Sequence, residues 1–449
     1  MVKRKLLSAG LALTMLASVI GGCGKKEGNA SSTASSSVVS DEGKVLNIYC
    51  WNEEFKTRMK AHYPGYEEVN ATTGKIGEVT VNWITTPSDN NAYQNALDEA
   101  LLKQGEVEAD KKVDLFLIEA DYALKYVDTD YTLDVVNDLG ISKEQLANQF
   151  QYTQDVVTDK NGNLKGVSWQ ASPGAMIYRR DVAKKVFGTD DPAEIQKSFS
   201  DWDKFLESAK KLKEAGYQVT SSTTDTYRVF SNNVTSKWVG ENNKINIDEN
   251  IKKWVELSKK MVDEGYTNTY EIFSDDWSKG MTTAGNVFSY FGPAWLIDFT
   301  LVKYDLNGQW GITTGPQGFY WGGTWVCGAN GTDNKTLVKD IITKMTCDKD
   351  TLEAMIKEDN EFANNKLAIE EVNDAGNYKN KVLGGQNPLG IYSEGAEKIS
   401  LQNATAYDAG CNEEFQKAMK NYYKGTATYE EALELFYKNV EVKYPELKR

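Results

Sequence analysis

Histidine is almost missing from this 449-residue chain, with His62 the single example. A Ser-His-Asp triad or a histidine-based metal site therefore has one candidate. His62 lies in a polar, helix-like stretch without a nucleophile or ligand at the usual spacing, so it reads as a plain surface residue. Cysteine is scarce as well: Cys23, Cys50, Cys327, Cys347 and Cys411. They form no CxxC pair and no zinc spacing, and the last four read as buried free thiols, with one disulfide among them left open. Positive charge is short, 51 Lys and Arg against 65 Asp and Glu, for a net charge of −14. Such a chain repels nucleic acid and anionic lipid, and no basic, aromatic-interleaved stripe offsets this. Beyond the N-terminus no hydrophobic run reaches membrane length. Neither a metal nor a cofactor is expected.

What is present begins with a leader. Lys3, Arg4 and Lys5 precede an apolar core from Leu6 to Ile20, which ends in Ile20-Gly21-Gly22-Cys23. The segment is too short and too weakly flanked for a membrane span and reads as a secretion signal over residues 1–22. The tetrapeptide resembles a bacterial lipobox, whose cysteine accepts a diacylglycerol, so Cys23 is the expected lipidation site. Residues 23–43, rich in Ser, Gly and Lys, cannot build a core and read as a flexible tether. This places the protein on the extracellular face of the cell membrane, touching it through the lipid alone, in a cell of Gram-positive type.

The rest is too long for one ordinary core, so two lobes are expected. Strand-like and helix-like segments alternate, which points to α/β layers. Val45 to Trp51 reads as a buried strand, and Phe55, Met59 and Tyr63 share a helix face. Val79, Val81 and Trp83 alternate in a second strand. Val113 to Ile118 is a continuous apolar run, as in a parallel strand covered on both faces. Ser200 with Asp203 reads as a capping-box-like start of a helix on which Trp202, Phe205, Ala209 and Leu212 share one face and which stops at Gly216. Ile251, Trp254, Val255 and Val262 line another helix, stopped by Gly265. Thr428 with Glu431 opens a third, carrying Leu433, Phe436 and Val440. Asp159-Lys160-Asn161-Gly162-Asn163 lacks the acidic twelfth ligand of a calcium loop and reads as a hairpin turn on Asn-Gly. Arg179 and Arg180 read as an exposed pair where a helix begins.

Five ordered patches share a likeness: Leu46-Asn47-Ile48-Tyr49-Cys50-Trp51-Asn52, then Val113-Asp114-Leu115-Phe116-Leu117-Ile118-Glu119. Gly166-Val167-Ser168-Trp169 follows, running into Met176-Ile177-Tyr178-Arg179-Arg180-Asp181. Tyr290-Phe291-Gly292-Pro293-Ala294-Trp295 and Trp321-Gly322-Gly323-Thr324-Trp325 complete the set. Together they resemble the extracellular solute-binding proteins of carbohydrate ABC importers, the broad family that includes maltose-binding protein. The departure is Ala294, which separates Pro293 from Trp295. The resemblance covers nearly all of residues 45–449. It implies a two-lobed, periplasmic-binding-protein-like α/β fold of type II. Each lobe would be a mixed, mainly parallel sheet flanked by helices, with a ligand cleft between them. One lobe would take residues 44–155 and 330–375, the other 156–329 and 376–449.

A sugar needs flat aromatic platforms for its CH faces and side chains that bond its hydroxyls. The chain has 11 tryptophans, enough to spare some from the core. Trp51, Asn52 and Glu53 end the first strand, and Glu119 and Asp121 follow the most apolar one. Ligands of open α/β sheets bind beyond such strand ends, although Asp121 also suits a helix cap. Trp169 and Gln170 lie where the family's chain has just crossed between lobes. Trp295 follows a Gly-Pro turn, and Trp321 precedes two glycines that admit close approach. Tyr227, in a polar stretch, and Trp277, after Asp275-Asp276, complete the candidates. Several platforms suit a ligand longer than one sugar ring. The family implies an oligosaccharide ligand, permease subunits of an ABC importer as partners, a monomeric state and no catalysis. A secreted glycoside hydrolase would share the acidity and aromatics but needs two carboxyls across the scissile bond. A non-transport surface lectin would bind without closing.

Overall fold

A computed structural model describes residues 43–449. The segments expected to be a leader and, up to residue 42, a tether, with the expected lipidation site Cys23, lie outside the described residues. The described chain contains twelve strands. They are β1 (Val45–Cys50), β2 (Tyr66–Asn70), β3 (Thr73–Ile76), β4 (Val79–Thr85), β5 (Leu115–Glu119) and β6 (Val167–Ser168). Next come β7 (Pro173–Arg179), β8 (Gln218–Thr220), β9 (Val287–Gly292), β10 (Trp310–Thr313), β11 (Phe319–Tyr320) and β12 (Thr324–Gly328).

These form two sheets. One has seven strands in the order β2-β3-β4-β1-β5-β12-β6, and the other runs β10-β7-β9-β8 with β11 paired to β7. The apolar segments read from the sequence are β1, β4 and β5. β1 lies parallel to β4 and β5, and every residue of β5 but the last is buried, as a strand covered on both faces requires. Among the named strands the other parallel pair is β8 with β9. The remaining pairings are antiparallel, so each sheet is mixed but not mainly parallel. β6 and β12 fall inside the 156–329 segment expected for the second lobe, yet they belong to the seven-stranded sheet.

The chain passes between the sheets at residues 169–172 and 321–323. The two crossings run side by side, with Trp321 N–H donating to Ser172 O at 3.1 Å. Left-handed backbone gathers here: φ is +51° at Ser172, +71° at Gly322 and +106° at Gly323. Glycine accepts that region without a Cβ clash, which explains the Gly-Gly pair. One apolar cluster runs from the seven-stranded sheet to the near face of the other, from Ile48 and Phe116 to Ile177, Tyr290 and Ile312. A second backs the five-stranded sheet's far side with Phe205, Tyr227, Trp254, Phe288 and Phe436.

The helices follow their sequence signals with one shift. Helix Trp202–Glu214 is capped by Asp201, whose carboxylate accepts Lys204 N–H, and not by Ser200. It buries Phe205, Ala209 and Leu212. Helix Tyr429–Lys443 opens on the expected Thr428–Glu431 box. The Asp159–Asn163 stretch is a turn in which the Asp159 carboxylate accepts the N–H groups of Asn161 and Asn163. Among the described residues no group of three or more His, Cys, Asp or Glu is placed to hold a metal. The four cysteines there are free thiols.

Two surface readings are corrected. His62 is buried, its Nε2 lying 2.6 Å from an Asp359 carboxylate oxygen contributed by a distant helix. Arg179 and Arg180 are buried or nearly so and are engaged by Asp181 and Asp190 respectively. Helical periodicity places a residue on a face, but which faces are covered depends on partners far along the chain. Among the described residues no helix is long and apolar enough to cross a membrane.

Candidate functional site

β5 delivers two carboxyls at its C-terminal end. Glu119 closes the strand and turns back to cap the next residues, its Oε2 accepting Asp121 N–H at 2.9 Å. Asp121 faces Arg228 on the short helix Tyr227–Ser231, whose Tyr227, Val229 and Phe230 anchor in the cluster behind the other sheet. The guanidinium grips Asp121 with both terminal nitrogens, at 2.9 and 2.5 Å. The same guanidinium lies over the Trp321 ring, 5.4 Å from its centroid. Trp321 meets Trp295 edge to face at 4.8 Å, and Trp295 Nε1 donates to Trp321 O at 3.1 Å. Gly322 lies between the parts: a Cβ there would be 3.5 Å from both Glu119 Oε1 and Trp295 Nε1.

Asp121 and Arg228 keep side-chain exposures of 42% and 26%. Charge sorts the two acids. Burial works against ionised Asp121, but the charge and hydrogen bonds of Arg228 outweigh it and hold its carboxyl below the usual range. Glu119 has no cation of its own. Burial, reinforced by the negative charge of Asp121, pushes it up to about 8. Two acids shifted in opposite directions thus adjoin two indole rings.

Of the sequence candidates, Glu119, Asp121, Trp295 and Trp321 are brought together. Trp51 stands beside them, packed edge-on against Tyr93 at 5.5 Å and Tyr122 at 6.3 Å. Asn52 and Glu53 are exposed and serve the following helix: Asn52 accepts Glu54 N–H, and Glu53 pairs with Lys56 at 2.9 Å. Trp169 is fully buried and stacks on Phe55 at 5.2 Å. Trp277 is also sealed in, its Nε1 donating to Asp225 at 2.7 Å. Tyr227 is buried, its hydroxyl donating to Asn412. In this conformation these three rings therefore present no platform to solvent. Gln170 is buried and donates to Glu54 at 3.0 Å.

Residues absent from the sequence reading also belong here. Arg228 is the only cation in the polar stretch 221–228, which was a usable signal. Phe273 carried none. It is 57% exposed, sits at φ +66°, and lies 6.0 Å from Trp321 and 6.4 Å from Trp295. A bulky side chain in left-handed backbone is strained, and such strain gathers at ligand clamps.

A second charged group flanks the crossings. Along helix Glu54–His62, Arg58 meets Asp359 at 3.2 Å and Glu361 at 3.3 Å. Burial and the charge of Glu361 raise Glu54 to about 7, and burial raises nearby Asp298 to about 8. A separate cavity of about 450 Å³ lies against Asp134, Lys143, Gln149, Gln154 and Leu164. It contains no aromatic ring, and Gln149 and Gln154 spend their amide N–H groups on Thr346 O and Leu146 O. It lacks the aromatic rings that the corner of Trp295 and Trp321 presents.

A family model for bacterial extracellular solute-binding proteins matches residues 66–381. No curated protein matches the sequence. Among solved structures, a family 1 extracellular solute-binding protein is similar at 16% identity and a TM-score of 0.73, covering 89% of this chain and 99% of that one. An ABC-transporter-associated binding protein from B. animalis subsp. lactis, in complex with beta-1,6-galactobiose, is similar at 18% identity, with 90% and 98% covered and a TM-score of 0.67. A Streptomyces glaucescens receptor, solved unliganded and with acarbose, has 14% identity, 90% and 99% coverage and a TM-score of 0.65. At these identities the likeness concerns the fold.

Proposed function

We propose, from the premise that the chain belongs to the bacterial extracellular solute-binding proteins, that it captures an oligosaccharide and delivers it to the permease of an ABC importer. The observation that carries this reading is the corner of Trp295 and Trp321 set against Glu119, Asp121 and Arg228. Indole faces match the CH faces of a pyranose, and carboxyls bond its hydroxyls in the ring plane. The corner draws its parts from both sheets, beside two crossings rich in left-handed backbone. Two lobes, one carrying each sheet, with β6 and β12 on the first, close there over the ligand, the closed form being favoured by ligand contacts. Sugars bound by two of the structural neighbours support the substrate class. No bond is made or broken, and the protein works as a monomer held by a lipid on Cys23.

Calorimetry on the leaderless protein against maltotriose, cellotriose, mannotriose, xylotriose and beta-1,6-galactobiose tests the reading. At least one should bind with a Kd of about 1 μM or tighter, roughly −8 kcal/mol. Silence across the panel, or release of shorter sugars, would overturn it, the second outcome in favour of a glycosidase. Anchoring is tested separately: cells fed an alkynyl palmitate should label the full-length protein, and Cys23→Ala should abolish the label.

A further inference from the structure

At the end of β5 two carboxyl groups share one guanidinium, and the geometry shows which of them receives it. Asp121 engages both terminal nitrogens of Arg228. Glu119 has only the backbone N–H of Asp121, on Oε2. The charges acting on it are those of Asp121 and Arg228. Tyr122 from its own segment and Tyr320 from β11 face it as neutral phenols, and Asp408, at the start of helix Asp408–Tyr423, adds its field on Asp121. β12 brings the uncharged Thr324 opposite Glu119. Ionising Glu119 would therefore place a second negative charge beside Asp121 with one guanidinium, already bonded to Asp121, to answer both. Carboxyl pairs so placed keep a proton.

Part of the donor capacity of this corner is committed: each Arg228 terminal nitrogen gives one N–H to Asp121, and Trp295 Nε1 donates to Trp321 O. Glu119 Oε1 lies on the side of Gly322, 3.5 Å from where a Cβ would stand.

We propose that Glu119 keeps its proton at neutral pH and serves the site as a hydrogen-bond donor through Oε1. An acceptor oxygen of the ligand, such as a ring or glycosidic oxygen, would then be set against it. Binding weakens as the proton leaves. This deepens the sugar-capture reading and rests on it. The direction agrees with burial and Asp121 raising Glu119 to about 8. Below that value the acid donates. Above it, the carboxylate can only accept and meets the ligand oxygen with repulsion.

Two measurements test this. In protein labelled with 13C at the glutamate carboxyl, the resonance that disappears in Glu119→Gln should titrate above pH 7. In Asp121→Asn, where Arg228 is released to Glu119, that resonance should move to lower pH. A midpoint near 4.5 in the wild type would overturn the proposal. In calorimetry with whichever panel sugar binds, wild-type affinity should fall roughly tenfold between pH 6 and pH 9. Glu119→Gln, measured from its own baseline, should be flat over that range. A flat wild type, or a Glu119→Gln slope equal to it, sinks the donor role. If Trp321→Ala abolishes binding while the wild type stays flat, this inference alone fails. If no sugar binds, the capture reading fails and takes this one with it.

Discussion

Arg228 holds both carboxylate oxygens of Asp121, at 2.9 and 2.5 Å, from a helix rooted behind the opposite sheet. It thereby ties the end of β5 to the five-stranded side of the molecule. Because the pair is partly exposed, it adds little to stability. Its planar fork and its place over Trp321 are what a lysine cannot reproduce. Arg228→Lys should weaken sugar binding about tenfold while shifting unfolding by less than about 1 kcal/mol. Calorimetry paired with thermal melts checks this; a large stability loss at unchanged affinity would contradict it.

Trp169 and Trp321 should fail in opposite ways. Trp169 is fully buried against Phe55. Trp169→Ala should cost about 3–5 kcal/mol of stability, as truncating a core aromatic does. Trp321→Ala should leave a folded protein that has lost at least tenfold in affinity. Urea unfolding and titration of the two variants separate core from platform.

Stability should decline from pH 5 to pH 9. Burial raises Glu54 and Asp225 to about 7 and Glu119 and Asp298 to about 8, against reference values of 4.5 and 3.8. Between those limits the folded state binds protons that the unfolded chain has released, so unfolding becomes easier as pH rises. The carboxyls held low, among them Asp121 and Asp248, withdraw their support only in acid, below the reference value. Melting temperatures from pH 5 to 9 should fall steadily; a rise would contradict the raised set.

Asp298→Asn should stabilise the protein at alkaline pH. One Asp298 oxygen accepts from Asn380 at 3.3 Å, and the other is buried with no partner. The amide keeps the acceptor and removes a charge that burial penalises. A gain of about 1–2 kcal/mol is expected at pH 9, with little change at pH 5. Melts at the two pH values decide it.

The thiols should be inert in the folded state. Burial pushes Cys50 and Cys347 up to about 11 and Cys411 to about 12. Thiolate is the reacting species, so Ellman's reagent at pH 7.5 should label them slowly until denaturant is added. Rapid labelling of the native protein would count against this burial.

Much of the architecture was legible in the linear chain. The apolar runs of β1, β4 and β5 and the cap at Thr428 are short-range signals, carried by neighbours within one turn or one strand. The two acids after β5 were visible for the same reason, since the end of a buried strand is marked by the first residues that cannot be buried. His62, Arg179 and Arg180 were misjudged because part of what covers them comes from far along the chain: Asp359 for His62, Gly285 O for Arg179, and Trp310 O and Gln386 for Arg180.

The tryptophans divide the two kinds of knowledge most sharply. Composition alone established that indoles were plentiful enough for a carbohydrate site. Which of them stay partly exposed was decided only when the sheets came together, burying Trp169 and Trp277 but not Trp295 and Trp321. The meeting of Asp121 with Arg228, 107 residues later in the chain, belongs to that same stage. A side chain's type is a local fact, but its solvent, its partner and therefore its charge depend on atoms that only the folded chain brings near.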